Sequence, residues 1–183
     1  MVSGRFLVVL GVCSLVLVQA QTTESDLRDL VLQLQARLEK LEKVCEDRAS
    51  AQVAFSASLH TSLDRIDLGP YDTNTTLQFK RVVTNIGNAY DEDTGIFTAP
   101  VKGLYYLRFT GNVGDSGYLN AALLKNGVNM FAIYNKGHHS SGSNSMALVL
   151  EQGDQVWITL WPDSVVFDQS RRTTFSGFLI YPM

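Results

Sequence analysis

The chain reads as an all-β antiparallel sandwich or jelly roll behind a short N-terminal coiled-coil helix. Three observations lead there. Beyond position 50, apolar and polar residues alternate in short runs punctuated by Gly, Pro, Asn and Asp, with no helical period. Residues 24–48 instead repeat leucines every seven positions. The nine Phe and seven Tyr fall mostly after position 50, where strand propensity wants them.

The 183 residues, 45% hydrophobic and 18% charged, suit one globular domain with an appendage. A net charge of −3 is too weak, and of the wrong sign, for a nucleic-acid or anionic-membrane binder. Residues 1–20 read as a secretory leader. Arg5 supplies the basic start, Phe6 to Val18 the apolar run, and Val18-Gln19-Ala20 the cleavage pattern. That run is shorter than the ~20 residues needed to span a bilayer, so the mature chain is expected to be secreted and extracellular, with no membrane span. Cleavage removes Cys13 and leaves Cys45 as the one cysteine in an oxidising compartment. It then pairs with another chain or stays a free thiol.

Residues 21–48 form the coiled-coil segment. Leu27, Leu34 and Leu41 fall seven apart, and Val31, Leu38 and Cys45 fall four after each, the d-to-a spacing of a seam. Ser25 with Asp26 offers an N-cap. Gln33, Gln35, Glu39, Lys40 and Lys43 make the other faces polar, which favours chain-to-chain pairing over packing on the chain's own domain. About three heptads are marginal alone, so the coil assists an assembly driven elsewhere. Cys45, at the last a position, is placed for an interchain disulfide.

Residues 49–183 form the globular domain. A first strand covers Val53 to Ala57, and Leu63 to Tyr71, with Gly69-Pro70, reads as loop. Asn74-Thr75-Thr76 is an N-glycosylation acceptor in a polar loop. Leu77 to Val83 reads as the second strand. Asp91-Glu92-Asp93 raises calcium, but the acids lack calcium-loop spacing, and a solvated turn closed by Gly95 is preferred; no cofactor is expected. Gly103 to Thr110 is the strongest strand. Tyr118 to Lys125 and Val128 to Tyr134 flank Asn126-Gly127, the favoured two-residue hairpin turn. Lys136 to Asn144 reads as a polar loop, Ser145 to Leu150 and Gln155 to Trp161 as strands, and Pro162 to Ser170 as loop. The last strand begins near Arg172. Its Phe175, Leu179 and Tyr181 share one parity and Phe178 and Ile180 the other, so both faces should be covered, within one subunit or by a neighbour.

Six blocks then carry a family signature: Val53 to Ser58, Asn85 to Tyr90, Thr94 to Tyr106, Lys125 to Gly127, Gly153 to Val156, and Thr174 to Pro182. In this order, over about 50–183, they resemble the globular head of the complement C1q family. The resemblance implies a C1q/TNF-like jelly roll of about ten strands assembled as a homotrimer. No Gly-X-Y repeat is present, so the short coil with Cys45 looks like the cerebellin type or the short secreted C1q-like proteins. Disulfide-linked oligomers above the trimer are compatible with Cys45.

The function expected is multivalent binding of an extracellular protein or glycan, as in innate-immune recognition of microbial or altered-self surfaces, in which weak sites gain by avidity. The alternative is a cerebellin-like adaptor bridging cell-surface receptors. Candidate contact loops are Asp91–Gly95, Asp115–Gly117, Lys136–Ser143 and Pro162–Arg172, with Asp91, Asp93, Asp115, Lys136, His138, His139, Asp163, Arg171 and Arg172 as their charged groups. An enzyme is not expected: no HExxH, GxSxG, CxxC or phosphate-loop motif occurs, and adjacent His138 and His139 point apart in extended chain.

Overall fold

The computed structural model describes residues 24–46 and 52–183. The expected leader and its cleavage site lie outside the described residues. The chain divides into two units between Ala49 and Ser50.

In the first unit, residues 24–46 are one helix, α1. Arg28 reaches back to Glu24 at 2.7 Å, an i,i+4 pair. Leu27, Val31, Leu34, Leu38 and Leu41 are each 49–62% exposed, and Leu30, Leu32 and Val44 are exposed with them.

The second unit contains thirteen strand segments. In chain order they are β1 (Ala54–Ser58), β2 (Ile66–Leu68), β3 (Thr75–Thr76), β4 (Arg81–Ile86), β5 (Tyr90–Asp91), β6 (Ile96–Thr98), β7 (Gly103–Asn112), β8 (Tyr118–Lys125), β9 (Val128–Lys136), β10 (Ser141–Leu150), β11 (Gln155–Leu160), β12 (Val166–Asp168) and β13 (Thr174–Pro182). Every pairing is antiparallel. A seven-stranded sheet runs β2-β12-β7-β13-β1-β4, with β10 also on β7. A six-stranded sheet runs β5-β6-β11-β8-β9, with β3 also on β11. This is the expected all-β sandwich; five segments of two or three residues raise the strand total above the ten anticipated.

The strongest strand of the sequence, β7, pairs along its length with both β10 and β13. Its inward Tyr105, Leu107 and Phe109 are fully buried. Phe55 of β1 is the hub of an aromatic core, stacked on Tyr90 and Phe97 at 5.0 Å each and edge-on to Phe175 at 4.8 Å. Such pairs add about 0.5–1.5 kcal/mol each beyond area burial. The Tyr90 hydroxyl accepts from the Phe79 backbone N–H at 3.0 Å, and burial pushes its pKa up to about 12. Gly177 of β13 is required by close approach: a Cβ there would meet the Leu107 side chain at 2.5 Å and Phe55 at 2.9 Å. The β8–β9 hairpin turns through Asn126 and Gly127 at φ 49° and 84°, the left-handed pair of a type I′ turn.

Several boundaries differ from expectation. Leu77 and Phe79 are core residues but precede the paired strand, which starts at Arg81. The segments read as loops around 63–71 and 162–170 hold β2 and β12, which pair with each other. The polar loop after β9 is only residues 137–140, because Ser141 already pairs with Asn112.

Candidate recognition surface

Three of the four candidate loops meet at one place. Asp115 bonds to Arg65, and its other carboxylate oxygen lies 2.9 Å from His139 Nε2. Arg65 Nε also donates to Asp67 Oδ2 at 2.8 Å. The Arg65 guanidinium lies 5.3 Å over the Phe167 ring, and the His139 ring packs edge-on to the same ring at 6.0 Å. Phe167, 2% exposed, is therefore the floor of a polar patch built from the start of β2, the 113–117 loop, the 137–140 turn and β12. Backbone bonds lock the two loops: Val113 N–H to Ser140 O and His139 N–H to Gly114 O, both 2.9 Å. His139 takes the left-handed conformation at φ 47°, which turns its ring towards Asp115.

The electrostatics follow from the partners. The bonded Arg65 holds the Asp115 carboxyl below its usual range, with smaller contributions from His139 and His138. Asp67 first, then Asp115, hold Arg65 above its usual range. All these side chains remain 43–56% exposed, so the patch is wet and its charges are screened. Lys136 ends β9 beside it and is exposed, as is His138.

The Pro162–Arg172 loop is organised around Asp168, 1% exposed, whose Oδ1 accepts from the Arg172 and Thr173 N–H groups at 2.8 and 3.1 Å. Arg171 is half-buried, with its Nε enclosed and unpartnered. Asp163 is exposed, and its N–H bonds Tyr71 O at 3.0 Å. The Asp91–Gly95 turn is separate and self-capped. Asp91 Oδ1 accepts the Asp93 N–H at 2.8 Å, which lowers the Asp91 pKa, and Asp93 pairs with Lys80 at 3.0 Å. Among the described residues, no group of three His, Cys, Asp or Glu side chains is placed to hold a metal. Asn74 and Cys45 are both exposed.

Sequence reasoning missed Arg65 and Asp67. Their i,i+2 spacing across Ile66, which puts two opposite charges on one strand face, was the available signal.

A family profile for the C1q domain matches residues 54–180. The chain belongs to the C1q domain family. Relatives from Homo sapiens and Mus musculus, each named complement C1q tumor necrosis factor-related protein 3, are 36% identical over 134 residues, covering 71% of this chain and 52% of theirs. The chain thus spans about half the length of the curated relatives it matches. Among solved structures, the globular domain of a zebrafish complement 1qA protein superposes with a TM-score of 0.55 at 24% identity, covering 72% of this chain and 99% of that one. Murine APRIL gives 0.55 at 16% identity over 70% and 98% of the two chains. Eiger TNF from S. frugiperda gives 0.56 at 12% over 73% and 95%. These similarities establish the C1q/TNF jelly-roll fold, and the 36% relatives place the chain within the family.

Proposed function

We propose that this C1q-domain chain is secreted, assembles as a homotrimer, and binds microbial or altered-self surfaces as a multivalent recognition module. The carrying observation is the exposed polar patch of Arg65, Asp67, Asp115 and His139, in which separate loops present charge of both signs on a rigid sandwich. One such patch is a weak site. Three on one body act together through effective concentration. Two exposed apolar surfaces support assembly: the seam of α1, and Phe178, Ile180 and Tyr181 of β13, each 47–49% exposed. Asn74 is proposed as the glycosylated residue.

Cys45, exposed at the end of the seam, favours the second reading, a disulfide-linked cerebellin-like adaptor that bridges receptors.

Light-scattering mass with and without reductant, on the wild-type protein and Cys45→Ser, tests assembly. Three chains in both proteins, with linked species in the wild type alone, are expected; a folded monomer at micromolar concentration overturns the trimer. Binding to killed Gram-negative and Gram-positive cells separates the readings. Saturable binding that weakens in Asp115→Ala supports recognition, and no binding to either favours the adaptor.

A further inference from the structure

The outward face of the six-stranded sheet carries a second feature, next to the polar patch. Leu119, Ala121 and Leu123 of β8 are fully buried, so Tyr118 and Asn120, both half-buried, take the outward face. Register sets Tyr118 opposite Lys136 and Asn120 opposite Tyr134. Tyr118 and Tyr134 are therefore diagonal neighbours, and their rings lie 5.9 Å apart, tilted by 37°. Tyr134, 64% exposed, is the most exposed large aromatic among the described residues. On the other flank Trp161, half-buried, follows the inward Leu160, and its backbone N–H bonds Asn120 O at 3.0 Å.

This group is continuous with the loops already described. β8 begins, and β9 and β11 end, at the same end of the sheet, and Val165 N–H bonds Tyr118 O at 2.9 Å. The two outward faces also differ in kind. The seven-stranded sheet offers adjacent apolar groups, whereas here rings alternate with an amide and a lysine. Interleaved ring faces and hydrogen-bonding groups suit a ligand that is itself apolar on its faces and polar on its rim. A pyranose has that form: its C–H faces stack on aromatic rings, and its equatorial hydroxyls meet amide donors and acceptors.

We propose that Tyr118, Tyr134 and Trp161, with Asn120 and Lys136 between and beside them, form a stacking platform for pyranose rings of surface glycans. The proposal names a ligand class for the recognition reading above and rests on it. Tyr134 and Tyr118 supply the stacking faces, Asn120 binds ring hydroxyls, and Lys136 marks the edge that would take an acidic sugar.

The test titrates the full chain with maltohexaose, chitohexaose, laminarihexaose and sialyllactose, read by tryptophan fluorescence and calorimetry. Saturable binding of at least one is expected. Tyr134→Ala should weaken it by about two- to tenfold, the range of one aromatic contact, while Tyr134→Trp stays within about twofold. Tyr134 is exposed, so both variants should keep the wild-type melting temperature. Absence of saturable binding to all four sugars, or affinity unchanged in both Tyr134→Ala and Tyr118→Ala, overturns the platform. So does capture of fetuin that survives enzymatic removal of its glycans, which would assign the face to a protein partner. Saturable sugar binding without binding to bacterial cells sustains the platform and defeats only the wider reading.

Discussion

On the seven-stranded sheet, Phe178 and Ile180 of β13 face outward, each 47% exposed, with Tyr106 packed 5.5 Å from Phe178 and Ile86 and Val149 exposed on other strands of that sheet. On the six-stranded sheet the outward residues include Tyr134, Tyr118, Asn120 and Lys136, rings spaced by polar groups. Both sheets bury the same kind of inward face, so the difference does not arise from the core. The first outward surface gains most by excluding water against another apolar surface. The second keeps hydrogen-bonding groups that a dry interface would have to satisfy. The same sandwich thus carries an apolar outward cluster on one side and a mixed aromatic and polar one on the other.

Both faces rest on one shared core. Phe109→Ala should cost about 3–5 kcal/mol and collapse both surfaces together, read as a lowered denaturation midpoint. Next, Phe178→Lys should separate the two sides. The dissociation constant for assembly is expected to rise at least about thirtyfold in sedimentation, while the fold stays intact. Equal assembly in that variant would refute the role given to the seven-stranded face. Asp168→Ala should cost about 1–3 kcal/mol, because the Arg172 and Thr173 N–H groups lose their acceptor. Its effect on cell binding should exceed its effect on assembly, since Asp168 shapes the loop that follows β12, directly after Phe167, the floor of the Arg65–Asp115 patch.

The smallest effect concerns pH. The hydrogen bond from Lys125, then that from Asn126, holds the Asp154 pKa at about 2. Its folded value lies below the usual aspartate value of about 3.9, so its contribution is present above about pH 4 and lost as pH falls towards 2. Asp154→Asn should flatten stability across that window; an unchanged acid titration would show that Asp154 does not drive it.

Legibility followed the range of the interactions. β8 runs from Tyr118 to Lys125 as alternation indicated, and the Asn126-Gly127 turn needed only local conformational preference. Leu77 and Phe79 alternate like a strand and reach the core ahead of β4, and the Leu77 N–H bonds Ile158 O of β11 at 2.8 Å, a pairing with the other sheet that no local pattern announces. Ser141 to Ser145 has loop composition yet pairs with β7, where the partner strand overrides propensity. At the surface, Asp115 and His139 were visible as loop charges. Their union with Arg65, fifty positions away from Asp115, was not. Among the expected contact loops, Asp91–Gly95 is held by its own turn.

From the order of its residues alone, this chain declares its class: period two after position 50, period seven before it, turns at Gly and Asn, and the C1q blocks. Those are properties of neighbours along one strand or helix. Which strands adjoin, and therefore that Arg65 meets Asp115, that Phe167 floors their patch and that Tyr118 lies diagonal to Tyr134, came only from folding. Cross-strand register joins residues far apart in the chain, and no local period encodes it.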